Sequence, residues 1–181
     1  MRNCNTFSAS IGAKVCGTAE NVTKNLVIVG RLFKSKKLVL PATDGAELLG
    51  KLNDVFDYID SNFQKYGCKV QSQPTKETEV QVYEMVKDGS FAEIFSWFEA
   101  DLNHLCLMPA QIKIFVQNHR EVLYADGRAT LFLFKVGGEF FVAFVSLYSG
   151  GAIEVRANHF SNDYVWGAEG RHRIVVPQLT P

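Results

Sequence analysis

The spacing of apolar residues changes along the chain, and each change marks a different kind of element. Residues 1–24 are small and polar with little periodicity, and read as a flexible arm. Leu26–Phe33 and Lys37–Leu40 are strand-like runs. Lys34-Ser-Lys36 between them predicts a hairpin turn, and Pro41 stops the second run. Leu48, Leu49, Leu52, Val55, Phe56, Ile59 and Phe63 then recur at helical spacing, with Asp54, Asp57, Asp60 and Lys51 on the other face. Asp44 and Glu47 fit a capping box at the start of this predicted helix, and Gly67 is a suitable stop.

Residues 68–77 contain Pro74 and read as a loop. Residues 79–86 stay open: Val80, Tyr83 and Val86 suit a helix, whereas Val80-Gln-Val82-Tyr alternates as a strand does. Ser90 and Glu93 form a second capping box, ahead of an apolar face of Phe91, Ile94, Phe95, Phe98, Leu102 and Leu105. Pro109 suits the first turn of a helix that continues through Ile112, Phe115, Val116, His119, Val122 and Leu123.

From residue 129 the period shortens to two. Ala129–Val136, Glu139–Tyr148 and Ala152–Phe160 read as strands, separated by the turns Gly137-Gly138 and Gly150-Gly151. Arg171–Val176 predicts a last strand, ended by Pro177. The resulting expectation is an α+β fold, with a helical N-terminal region followed by a helix packed on an antiparallel β-meander. Its segments are the arm 1–24, a hairpin plus mostly helical region 25–107, and a helix-plus-sheet module 108–181.

Nineteen basic residues balance nineteen acidic ones, which excludes a wholly basic nucleic-acid binder and favours self-association. The balance hides an asymmetry. Residues 1–43 carry seven basic and one acidic residue, net +6, and residues 44–107 carry five and twelve, net −7. The first ten residues lack the apolar stretch of a secretory signal, and no apolar run is long enough to span a bilayer, so the expected location is the cytoplasm. The four cysteines, Cys4, Cys16, Cys68 and Cys106, are then reduced thiols.

The stretch Gln111–His119 leads into Ala129–Lys135 and Gly138–Ala143, then Phe160-Ser-Asn-Asp-Tyr-Val-Trp166 and Arg171–Leu179. With Asp60–Phe63 and Pro74–Met85 upstream, this pattern resembles a group of uncharacterised cytoplasmic proteins of small-genome candidate-phylum bacteria, from about residue 44 to 181. The resemblance implies a bacterial, cytoplasmic context and assigns no activity, cofactor or catalytic residue.

The most suggestive chemistry lies in Asp163, Tyr164, Trp166, Arg171, His172 and Arg173, where aromatic rings adjoin two guanidiniums and an imidazole. Such a mixture can stack bases and contact phosphates, or anchor a protein interface. The plainer reading is that Tyr164 and Trp166 close a sheet edge while the arginines stay solvated. The leading expectation is a non-catalytic interaction module that binds a protein or nucleic-acid partner through this C-terminal surface, with no cofactor, metal or membrane.

Two alternatives remain. A metal-dependent nuclease would draw on Asp126, Glu154 with Arg156, Asp163, Glu169 and Lys135. An inhibitor would present the acidic helix as a phosphate mimic through Asp54, Asp57 and Asp60. His104, Cys106, His119, His159 and His172 are zinc-compatible residue types without compact ligand spacing, and a nucleophile pair of Cys106 with His119 or His159 has no local support.

Overall fold

The computed structural model describes residues 29–32, 37–45, 49–68 and 73–178; the arm 1–24, the turn residues 34–36 and Glu47 lie outside them. The described chain is organised around one mixed eight-stranded sheet. Its strands are β1 (Val29–Leu32), β2 (Leu38–Leu40), β3 (Tyr58–Ile59), β4 (Thr78–Met85), β5 (Ala129–Val136), β6 (Glu139–Leu147), β7 (Ile153–His159) and β8 (Arg173–Pro177). The order across the sheet is β1-β4-β8-β5-β6-β7-β3, with β2 also on β4. β5–β8 and β7–β3 are parallel pairs, and the others are antiparallel.

Two short helices lie on opposite faces. α1 (Phe91–Ser96) begins at the Ser90–Glu93 capping box, in which each residue bonds the other's backbone amide. α2 (Pro109–Asn118) starts at Pro109, and the Gln111 side chain accepts from the Met108 amide. α2 packs with Leu38, Leu40, Phe132, Phe134 and Val175 in one core; α1 packs with Leu131, Leu133, Val142, Ile174 and Val176 in the other. β5 is buried from Ala129 to Phe134, as a central strand covered on both faces must be.

The meander β5-β6-β7 forms with the predicted turns, but the expected α+β arrangement does not. The sheet is the body of the molecule, and the helices are few and short. Residues 44–67 do not form one helix. They make a 3₁₀ turn (Leu49–Asp54), the strand β3 and a π-helical turn (Phe63–Gly67). The aspartates explain the break. Asp57 Oδ2 accepts from the Ile153 amide at 2.7 Å, and Asp60 Oδ1 accepts from Ala157 at 3.1 Å and Phe63 at 2.7 Å. A carboxylate that bonds nearby backbone competes with helix continuation and caps the turn that follows. Leu52, Phe56 and Phe63 still reach the core, so helical spacing was met without a helix.

The predicted hairpin is likewise corrected. β1 and β2 do not pair with each other; both run antiparallel to β4, one after the other along the same edge. The open stretch 79–86 is strand as far as Met85, within β4, with Val80, Val82 and Met85 buried. α1 stops at Ser96, and Leu102–Leu105 is a separate 3₁₀ turn capped by Asp101. β8 does not extend the meander: it lies between β4 and β5, so a single sheet runs through both the 25–107 and 108–181 segments.

Candidate interaction surface

Loop 160–172, between β7 and β8, carries five of the six singled-out residues, and β8 begins with the sixth, Arg173. Asn162 Oδ1 accepts from the Tyr164 amide at 2.9 Å, turning the chain so that Tyr164 and Val165 stand outward, 62% and 55% exposed. Trp166 then turns inward. Its backbone exchanges hydrogen bonds with Gly89 at 2.9 and 3.1 Å, and Ala168 donates to Asp88 Oδ1 at 2.7 Å. The indole packs against Phe91 and Phe144 at 5.7 and 5.6 Å, and edge-to-face on His172 at 4.8 Å. Its Nε1 is buried and meets no acceptor among the described residues.

His172 is half-buried, and its Nδ1 accepts from the Ala129 amide at 3.2 Å. That bond fixes the neutral tautomer with the proton on Nε2. Burial is the chief cause that lowers its pKa, against the opposing pull of the Glu169 carboxylate. Arg171 adopts a left-handed backbone, φ 47°, and its guanidinium grips Glu84 through Nε and Nη2 at 2.9 and 2.8 Å. Arg173 donates to the Val122 carbonyl and sits 4.6 Å from the Tyr124 ring centre, where Arg128 also sits at 4.5 Å. Asp163 is exposed at the loop tip.

The predicted aromatic and basic residues therefore divide. Trp166 and His172 anchor the loop to the sheet, and the arginines are spent on internal partners. Tyr164 and Asp163 face outward.

Phe144, Arg156 and Tyr58 adjoin this surface. On β7, Ile153, Val155 and Ala157 enter the core, which leaves Glu154 and Arg156 on the other face. Phe144 lies opposite Arg156 in register, and Tyr58 opposite Glu154. The Arg156 guanidinium lies 5.6 Å from the Tyr58 ring centre and bonds Glu154, whose second oxygen accepts from the Tyr148 hydroxyl at 3.3 Å. Tyr164 meets Trp166 edge-on at 5.5 Å, and Trp166 meets Phe144. The result is a band of neighbours, Tyr164–Trp166–Phe144–Arg156–Tyr58, from the loop tip to the edge strand, in which Trp166 and Phe144 are partly buried. Tyr58 and Tyr148 are 52% and 42% exposed.

The other candidates do not converge. Glu154 is committed to Arg156 and Tyr148, Asp126 occupies a left-handed turn at φ 72°, and Lys135 bonds Asn103. His119 lies on Phe115 and reaches the Val39 carbonyl, His159 faces Glu139 and Ser161, and His104 faces Asp101. Among the described residues no three His, Cys, Asp or Glu side chains come together as a metal-binding group. Cys106 donates to the Leu102 carbonyl, and burial pushes its thiol up to about 11, opposite to what a nucleophile requires. The acidic helix that an inhibitor would present is absent, since Asp57 and Asp60 hold backbone amides of β7.

No described helix is long and apolar enough to cross a membrane. No family model, curated protein or solved structure matches this chain.

Proposed function

We propose that this protein is a non-catalytic interaction module whose aromatic band binds a protein partner. The observation that supports the reading is the exposure of Tyr58, Tyr148 and Tyr164 along one connected aromatic and guanidinium surface. Tyrosine, tryptophan and arginine are the residues that dominate protein interfaces, because they supply large contact area at low conformational cost. A nucleic-acid partner is less well served. Stacking surfaces for single strands need an adjoining run of cations, whereas Arg156 pairs with Glu154 and Arg171 with Glu84.

The test compares immobilised full-chain protein with a Tyr58→Ser/Tyr164→Ser double variant. Both positions are more than half exposed, so the variant should melt at an unchanged temperature. The expected result is a discrete set of proteins from the native cell retained by the parent and lost by the variant. A concentration-dependent rise in mass, abolished by the variant, would identify the partner as a second copy. Retention of the same set by both proteins would refute the band as the interface.

A further inference from the structure

At one end of the sheet, on the face that α2 covers, three strands bring polar and charged side chains together. Val80 and Val82 of β4, Val175 of β8 and Phe132 of β5 enter the α2 core. Alternation therefore puts Glu84, Arg173 and Thr130 on that same face, and Arg173 is the register partner of both others. Arg173 and Arg128 lie 4.6 and 4.5 Å from the Tyr124 ring centre, and Arg171 joins the group through Glu84. Thr130 is fully buried, and its hydroxyl meets no partner among the described residues.

The charges in this group do not balance. Glu84 is shared: it bonds Arg171 and also faces Arg173. Arg128 is half-buried and has neither a hydrogen bond nor a carboxylate partner among the described residues. The Tyr124 hydroxyl bonds nothing among them either, and it lies within the field of Arg171 and Arg173. Three guanidiniums less one carboxylate leave two positive charges around one half-buried ring. Burial is the chief cause that lowers the Arg173 pKa below the usual guanidinium value, and the like charge of Arg171 adds to it, against Glu84 and Tyr124. Arg171 is also held in a left-handed backbone, φ 47°. Strain and crowded like charge collect at binding sites, where the ligand relieves them.

The ligand follows from the charge. A phosphate monoester carries about two negative charges at neutral pH and three acceptor oxygens, which matches the excess here. Guanidiniums offer it paired N–H donors, and the Tyr124 hydroxyl adds one more. A carboxylate would neutralise only half of the excess. A nucleic-acid backbone spreads its charge along a strand and calls for a stripe of cations, not a cluster. We propose that Arg128, Arg171, Arg173 and Tyr124 form a binding site for a dianionic phosphate group, either free or on a small monoester. Phe144 and Trp166 of the aromatic band pack with the other core, so the two sites lie on opposite faces of the sheet.

The test is a titration of the isotope-labelled full chain with glycerol phosphate at neutral pH and low salt, followed through the arginine Nε–H and Tyr124 ring resonances. Saturable movement of the Arg128 and Tyr124 signals is expected, with a dissociation constant between about 0.1 and 3 mM. Inorganic phosphate is the second probe. Equal or tighter binding of inorganic phosphate assigns recognition to the ion itself, and tighter binding of the ester extends it to the esterified group. Acetate at matched ionic strength should bind at least about tenfold more weakly. Arg128→Gln breaks no hydrogen bond within the described residues and should weaken phosphate binding about tenfold without lowering the melting temperature. Tyr124→Phe keeps the ring and should weaken binding about threefold. Three results would overturn the proposal: no saturation by about 20 mM of either phosphate, undiminished affinity in Arg128→Gln, or acetate binding as tightly as phosphate.

Discussion

The Asp60 carboxylate stands in for a missing strand residue, accepting from the Ala157 amide of β7 while also holding the Phe63 amide three residues on. β3 is only two residues long, too short to pair the exposed edge of β7 alone. Asp57 does the same at Ile153. Side-chain oxygens thus close an edge that backbone pairing leaves open. Asp60→Ala should lower stability by about 2 kcal/mol, since two amides lose their acceptor at once. Asp60→Asn keeps an oxygen and should lose less than half as much. Urea unfolding midpoints at unchanged slope are the measurement, and equal losses in the two variants would contradict the assignment.

His172 should make stability depend on pH on the acid side. Its folded pKa is lowered from the ordinary 6.5, chiefly by burial. The unfolded chain therefore binds the proton first, and stability rises with pH through this range. Melting temperature should hold above about pH 7 and fall as pH drops through the unfolded value toward the folded one. Protonation also removes the acceptor for the Ala129 amide. His172→Asn places an amide oxygen near the position of Nδ1 and cannot titrate. Its melting temperature should change less between pH 7.5 and 5.5, by an amount equal to the His172 share. An identical fall in both proteins would assign the effect to other groups.

Two thiols should be slow to react while the protein is folded. Burial pushes Cys68 and Cys106 each up to about 11. At pH 8 only about one such thiol in a thousand is ionised, and the thiolate is the reactive form. Peptide mapping after brief alkylation should show positions 68 and 106 unmodified in buffer and fully modified in urea. Rapid labelling of either in buffer would mean that its pocket opens.

Gly127 holds Tyr148 in place. Its φ is +74°, and a Cβ there would lie 3.0 Å from the Tyr148 ring. Gly127→Ala should cost about 1–2 kcal/mol for the left-handed backbone alone. It should also push the ring off its bond with Glu154, readable as a change in the Tyr148 ring resonances. A variant with parental stability and an unmoved ring would show that the turn is more pliable than its geometry implies.

Local signals in the sequence are legible where local chemistry decides the outcome. The glycine pairs turn the meander, Ser90 and Glu93 cap α1, and Pro109 opens α2. Residues 44–67 misled because their apolar spacing suits a helix, while the fate of Asp57 and Asp60 depends on a strand nearly a hundred residues later. The parallel neighbours of β8 are equally non-local. At the candidate surface, the loop around Tyr164 was legible as aromatic and polar. The inward turn of Trp166 depends on Gly89, and Tyr58 joins the band only through its pairing with β7. Alternation along β7 did place Glu154 and Arg156 on one face, where they pair with each other.

The position of β8 has a consequence for synthesis. Among the described residues, β1, β2 and β4 form one group of strands, and β5, β6, β7 and β3 another, with β8 alone joining them. A growing chain emerges with residues 78–85 and 129–136 made well before residues 173–177. During that interval two long strands each present an unpaired edge, and both edges are competent to capture another nascent chain. The last strand to leave the ribosome in this sheet is thus the one that seals it.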